Sequence, residues 1–343
     1  MLTAVIIFVG FLAYITITDY RPAKVINLRA GDKPITAELL DKDTINFITW
    51  NIGYAGLGAG MDFFYDGGTK VRPTKKMVVK YLNGIKHFVS THDSIDFWYI
   101  QEIDLHSHRS YYFNEVKSIS QAKSGSHAVF AKNYDCPFVP VPIYDPLGRV
   151  KSGLMTFTDF PYTEATRYAY PLIAKWPNKL FLLDRCFILM RFPLANGKDL
   201  VIMNTHNSAY VYDSLQRVKE LNILKYKMLE EYSKGNYVIA GGDWNANPPN
   251  FKPQGNYAGD RFVPTKVRMS SKTFPSAWHW AYDPTTPTNR QNYKSFVRGE
   301  NGTTTIDYFI LSPNIHLLNV KAIDLNFADS DHNPVFMKVA LLH

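Results

Sequence analysis

The stretch YVIAGGDWNANPP, Tyr237–Pro249, runs from apolar residues through two glycines into Asp243, Asn245 and Asn247. Asp, Asn and Gly suit a turn for backbone reasons alone. Their meaning therefore rests on how other apolar runs end. INFITWN ends in Asn51, DFWYIQE in Glu102 and LVIMNTH in His206, while SDHNPV sets Asp331 and His332 just before the last apolar run. Carboxylates, amides and imidazoles so placed suit two chemistries: holding a hard divalent cation through oxygen ligands and moving protons. Strand ends gathered on one edge of a sheet are where such sites are built. Asp307 differs, because TTTIDYFILS sets it inside a strand between Ile306 and Tyr308. A carboxylate there needs a partner, and His332 is the natural one.

The elements that must position these residues are mostly strands. Short apolar runs rich in β-branched and aromatic residues recur from Thr44 onward: Ile45–Trp50, Phe97–Ile100, Ala128–Ala131, Leu154–Phe157, Phe181–Phe192, Leu200–Met203, Tyr237–Ala240, Thr304–Leu311, Val320–Leu325 and Val335–Leu341. Two stretches carry helical spacing instead. TKKMVVKYLNGIKHFV sets Met77, Tyr81, Ile85 and Phe88 on one face. DSLQRVKELNILKYKMLEEYSKG does the same with Leu221, Leu224, Met228 and Tyr232, with Asp213 as N-cap and Gly235 as stop. Many strands and few helices argue for two packed sheets covered by helices. The stretch 250–300, rich in Pro, Asn and aromatics, reads as an elaborated functional loop.

The composition is globular, with 46% hydrophobic and 20% charged residues in a chain of 343. The net charge of +8 favours anionic partners such as nucleic acid, phosphorylated metabolites or lipid head groups. Two cysteines, Cys136 and Cys186, exclude a cysteine metal cluster and a disulfide framework; one disulfide or two buried thiols both remain open. Leu2–Ile17 holds no charge. Residues 1–20 are expected to form a membrane anchor or signal segment, with an uncleaved anchor first and a buried N-terminal helix as the alternative. A linker over 21–43 and a catalytic domain over 44–343 follow. The domain is expected outside the cytoplasm, although Arg21, Lys24 and Arg29 follow the apolar run and no basic residue precedes it, which points the other way.

In order along the chain, Trp50–Asn51, Gln101–Glu102, Asn204–His206, Gly242–Asn245, Ile306–Ser312 and Ser330–Pro334 resemble the motifs of the endonuclease/exonuclease/phosphatase, or deoxyribonuclease I-like, superfamily. The resemblance runs from about Thr44 to the C-terminus. It implies an α/β fold, a four-layer α/β/β/α sandwich of two packed mixed sheets flanked by helices. It implies a divalent-metal-dependent phosphoester hydrolase using Mg²⁺ or Mn²⁺. Asn51, Glu102 and Asp331 fall to the metal. Asp243 and Asn245 fall to the attacking water, His332 with Asp307 to proton transfer or phosphate stabilisation, and His206 to the phosphate or leaving group. The base is left open between Asp243 and His332. A phosphodiester is the expected substrate. Nuclease action comes first, phospholipid or sphingomyelin phosphodiesterase and inositol-phosphate phosphatase are alternatives, and a monomer is expected. The alternative from another class is an inactive binding module; a lost key residue would favour it, and none is lost.

Other features carry less. His106, His108, His127 and His279 lack motif support. SAWHWAY, Ser276–Tyr282, reads as a packed aromatic cluster before a surface for bases or lipid. TKVRPTKK, Thr69–Lys76, reads as a solvated face. Arg149, Lys151 and Arg290 are candidates for an auxiliary phosphate-binding cation.

Overall fold

The computed structural model describes residues 1–28, 40–123, 125–209, 214–252 and 268–342. Four helices are found among them: α1 (Leu2–Ile17), α2 (Lys75–Ser90), α3 (Glu115–Ala122) and α4 (Ser214–Ser233). The strands are β1 (Val25–Asn27), β2 (Ile45–Asn51), β3 (Phe97–Asp104), β4 (His127–Val139), β5 (Gly148–Thr158), β6 (Glu164–Ala169), β7 (Cys186–Pro193) and β8 (Asp199–His206). They continue with β9 (Tyr237–Asp243), β10 (His279–Ala281), β11 (Asn289–Arg290), β12 (Thr303–Thr304), β13 (Asp307–Leu311), β14 (Ile315–Ala322) and β15 (Val335–Leu341). One sheet of six strands has the order β14-β15-β2-β3-β5-β4, one of seven has β1-β6-β7-β8-β9-β13-β10, and β11 and β12 form a ribbon.

Period-two alternation sorts each strand between two layers. In β2, Ile45 and Phe47 enter the core between the sheets, while Ile48 and Trp50 face α2. In β9, Ile239 points between the sheets, while Val238 and Ala240 pack with Leu224 and Met228 of α4. The four-layer α/β/β/α sandwich follows. Helix α2 starts where Thr74 accepts the amide of Met77 at 3.3 Å and buries Val78, Tyr81, Ile85 and Phe88. Gly235 ends the α4 segment with φ +84, whereas Asp213 lies outside the described residues.

Several expectations change. The run Val320–Leu325 covers only the end of β14, which starts at Ile315, and Thr304–Leu311 divides between β12 and β13, so that Asp307 opens a strand instead of lying inside one. Val25–Asn27, within the stretch read as a linker, adds an edge strand to β6. The run Phe181–Phe192 is not one strand: a short 3₁₀ turn, Asn178–Phe181, precedes β7, with Asp184 and Arg185 between. The stretch 250–300 carries β10 and β11, and its residues 253–267 lie outside the described set. Cys136 and Cys186 are both free and buried. No described helix is long and apolar enough to cross a membrane.

Parallel pairing of β8 with β9 places His206 opposite Asp243, and antiparallel pairing of β9 with β13 places Asp243 opposite Asp307. Close approach at this point requires Gly242. Its φ is +145, and an added Cβ would lie 1.9 Å from the carbonyl oxygen of Thr205. Gly242→Ala is therefore expected to cost about 2–3 kcal/mol of stability through overpacking, read as a lower urea midpoint; an unchanged midpoint would refute this account of the strand junction.

Candidate functional site

Strand register brings the predicted residues to one end of the sandwich. Asn51 closes β2 beside β3, where Asn51 pairs with Gln101. The next residue, Glu102, has φ +51, and the pairing of β3 with β5 shifts register between Ile100 and Ile103. The sequence alternation alone leaves the aim of Glu102 unresolved. The bulge settles it by turning the carboxylate toward the strand ends.

There Asn51 Nδ2 donates to Glu102 Oε1 at 3.2 Å and to Asp243 Oδ2 at 3.0 Å, while Asn51 Oδ1 accepts the amide of Gly53 at 3.0 Å. The Asn51 amide thus spaces two carboxylates and presents its nitrogen to both. Asp243 Oδ1 accepts the amide of Asn245 at 2.9 Å, and Asn245 Nδ2 donates to the carbonyl of Asn207 at 2.8 Å. His206 Nε2 lies 3.5 Å from Asp243 Oδ2 and 3.9 Å from Glu102 Oε1.

Asp307 opens β13 and meets the expected partner: His332 Nδ1 is 2.8 Å from Asp307 Oδ2, and His332 Nε2 is 3.9 Å from Asp243 Oδ2. Asn289 Nδ2 sits 3.0 Å from His332 Nε2. The neutral ring accepts from the amide nitrogen; the protonated ring pairs with the amide oxygen after a flip. Asp331 Oδ2 accepts from Asn292 Nδ2 at 2.6 Å. Every predicted site residue is therefore in one cluster.

The charges are strongly coupled to burial. Burial and the charge on Asp307 push the Asp243 carboxyl up, against His332 and the hydrogen bond from Asn51. Burial and Asp331 push Glu102 up as well. For His332 burial opposes protonation, but Asp307 and Asp331 outweigh it and lift the ring to about 10. His206 goes the other way: burial, Arg185 and His332 hold it well below its ordinary value.

A hard cation fits this donor set. Ligand atoms of Asp243, Asp307 and His332 lie within 4.8 Å of one another. Asp307 Oδ1 is buried without a hydrogen-bond partner, and Glu102 and Asp331 add further oxygen donors, the charge on Asp331 raising the cost of ionising Glu102. A small divalent ion with oxygen ligands would neutralise such a set.

These residues open into a cavity of about 480 Å³. Several of its lining groups were not visible in the sequence. Arg185, just before β7, donates Nη1 to the carbonyl of His206 at 3.2 Å. Arg109 is paired with buried Asp104 at 3.0 Å and lies 3.7 Å over the ring of Tyr54. Asp66 is pushed up to about 7 by burial and by Asp331, and is hydrogen-bonded by Asn292. Asn289 and Asn292 carried one signal, their position in a polar segment three residues apart around Arg290.

Arg290 itself is not a phosphate ligand. Its guanidinium is buried and donates to the carbonyls of Leu57, Gly58 and Met61, tying two loops together. Arg149 pairs with Asp135, and neither Arg149 nor Lys151 lines the cavity. Nor do His106, His108, His127 and His279. Trp278 of the aromatic stretch packs on Phe274 and Tyr232 in the core, as expected.

No family model matches the chain, and no curated protein does. Solved structures share its fold. An endonuclease/exonuclease/phosphatase from Beutenbergia cavernae aligns with a TM-score of 0.58 at 15% identity, over 88% of this chain and 72% of that one. Truncated TDP2 from Caenorhabditis elegans gives 0.53 at 13% identity, over 87% and 98%. The human Nocturnin catalytic domain with bound sulfate gives 0.52 at 15% identity, over 94% and 100%.

A cation that relieves this cluster must stabilise the folded chain. Mg²⁺ at about 100 times its dissociation constant is expected to add roughly 2.7 kcal/mol, seen as a higher melting temperature in a thermal scan. Glu102→Gln is expected to shrink that increment at equal Mg²⁺. An increment of the same size in the variant would remove Glu102 from the metal site.

Proposed function

We propose that this chain, built on the fold of the endonuclease/exonuclease/phosphatase proteins, is a divalent-metal-dependent phosphoester hydrolase acting on a phosphodiester. The observation that carries this is the convergence of Glu102, His206, Asp243, Asp331 and His332 on one cavity, with Asp307 behind His332 at 2.8 Å. Phosphoryl transfer asks for charge neutralisation and an in-line nucleophile more than for covalent chemistry.

A bound divalent ion, Mg²⁺ or Mn²⁺, supplies part of that neutralisation at the phosphate oxygens. Glu102 and Asp331 would hold it, with Asn51 fixing Glu102 relative to Asp243. Asp243 has one oxygen tied to the amide of Asn245 and the other facing the cavity imidazoles. It receives the proton of the attacking water. Asn245, with its amide nitrogen fixed on Asn207, presents Oδ1 to that water. His332, oriented by Asp307, presents Nε2 to the phosphoryl oxygen. His206 Nε2, on the Glu102 side of Asp243, serves the phosphate or the leaving oxygen.

Turnover of bis(p-nitrophenyl) phosphate with Mg²⁺, abolished by EDTA, is the test. Asp243→Asn and His332→Ala are expected to lower kcat by roughly 10²–10⁴ fold with the fold intact. Glu102→Gln is expected to be partly rescued by added Mg²⁺. Absence of turnover on any phosphoester with any divalent ion would leave only the binding-module reading.

A further inference from the structure

We infer that the substrate is a membrane lipid phosphodiester, presented from a bilayer on which α1 and the cavity rim rest. The inference rests on the phosphoesterase reading above and names its substrate class.

Helix α1 is apolar around its whole circumference yet lies on the surface. Leu2, Ile6, Ile7 and Phe8 are each at least 60% exposed, and Ile15 is its one buried residue. A helix without a polar face belongs in a core or a membrane. At about 1.5 Å per residue its 16 residues reach roughly 24 Å, less than the roughly 30 Å of a bilayer core. Held to the body of the protein through Phe11 and Thr16, it is placed to rest in one leaflet as a docked element.

Its docking fixes the position of that surface relative to the catalytic residues. Phe11 stacks on Phe181 at 6.2 Å and meets Phe138 edge-on at 6.1 Å, and Trp176 Nε1 donates to Thr16 Oγ1 at 3.1 Å. Phe181 is a wall residue of the cavity that holds Glu102, Asp243 and His332, and Leu182 and Leu183 continue that wall. The same ring thus touches the exposed helix on one side and the catalytic cavity on the other.

The rim beside it is apolar too. The β4–β5 tip leaves Ile143 at 92% and Tyr144 at 77% exposure, and Trp176 stands 55% exposed. Leu147 at the base of that tip lines the cavity and packs in one cluster with Val139, Phe181 and Leu183. Contiguous exposed apolar side chains of this kind mark an interaction site.

Continuity from α1 through Phe181 to the phosphate residues selects the occupant. A nucleic acid offers anionic backbone and needs a basic track. Here the described cationic side chains of the cavity are Arg109, committed to Asp104, Arg185 and buried Arg290. A lipid offers a phosphate for the acidic, metal-binding floor and chains for the Phe181–Leu183 wall. In the reaction water adds to phosphorus and one P–O ester bond breaks. The proton lost by water and the one gained by the released alcohol balance, leaving a phosphomonoester and an alcohol.

The full chain with Mg²⁺ is to be sedimented with mixed phosphatidylcholine–phosphatidylglycerol vesicles. Phosphate ester release from those vesicles, and turnover of soluble bis(p-nitrophenyl) phosphate, are measured in parallel. Vesicle binding and lipid turnover together support the inference. Ile143→Glu and Phe8→Glu, both at exposed positions, are each expected to lower vesicle binding and lipid turnover about tenfold, the worth of one apolar side chain leaving the bilayer. Soluble turnover is expected to stay unchanged. Soluble turnover without vesicle binding or lipid hydrolysis overturns the inference and spares the phosphoesterase reading, as does cleavage of DNA or RNA alone. A stable dimer by light scattering that does not bind vesicles shows that a second copy covers α1, and overturns it as well. Loss of turnover on every phosphoester, with vesicle binding intact, overturns both readings of the site.

Discussion

The structure is organised around the burial of two carboxylates directly opposite each other. Asp243 and Asp307 face one another across β9 and β13, both essentially without solvent. Opposed side chains in such a pair stand about 5 Å apart, so two negative charges there repel by on the order of 3 kcal/mol at an effective dielectric of 20. One ordinary hydrogen bond returns only about 1 kcal/mol. The repulsion pushes the Asp243 carboxyl up, and a positive charge beside the pair relieves it further than neutral partners do. His332 provides it: held on Asp307 and facing Asp243, it is kept protonated by the very carboxylates it relieves. Asp307 Oδ1 is left buried without a partner, and a divalent ion bound at this end would relieve the remaining negative charge. Gly242 follows from the same constraint, because only a residue without Cβ lets β9 come this close to Thr205.

Half of the cluster belongs to the other sheet, so the two sheets must be held in fixed relation at this end. A buried amide pair does this. Gln101 Nε2 on β3 donates to Asn204 Oδ1 on β8 at 2.8 Å, and Asn204 Nδ2 donates to the carbonyl of Met155 on β5 at 3.0 Å. Both groups lie where apolar packing alone would allow the sheets to slide, and a directional bond between them sets one position. The bulge that follows Gln101 then gives Glu102 its left-handed backbone. A non-glycine residue held in that region marks strain tolerated for placement. One residue thus ties the sheets while its neighbour reaches the other half of the site.

This division explains what the sequence made legible. Central strands buried on both faces announce themselves by composition, and polar residues at their ends stand out against it. Asn51, Glu102, His206, Asp243 and the Asp307–His332 pair were readable for that reason. Short edge elements were not. Val25–Asn27 and Glu164–Ala169 pair at the sheet margin with few apolar residues, and EVKSISQA makes α3 with only Ile119 and Glu115 buried. Asn289 and Arg185 were illegible for another reason. Their roles depend on partners such as His332 and His206 that only the fold brings near. Arg290 shows the converse error. An arginine near such a cluster invites a phosphate-binding role by type, but both of its terminal nitrogens donate to backbone carbonyls, a use that no local pattern announces.

The cavity wall bears on the chemistry as well as on recognition. Charge interactions strengthen as the local dielectric falls, and fixed dipoles act most strongly where water is excluded. Tyr54, Leu147, Phe181 and Leu183 surround a floor where burial pushes the Asp243 carboxyl up and holds the His206 imidazole down. On the lipid reading proposed above, substrate chains filling the space beside Phe181 would displace water from that floor. That apolar surface would raise the worth of each contact that His332, His206 and Asn245 make with a phosphate. With a substrate lacking such chains the space would stay wet, and the same side chains would act in a higher dielectric. On that reading the apolar wall and the acidic floor would be parts of one device, the wall supplying the low-dielectric surroundings in which the floor's paired charges act.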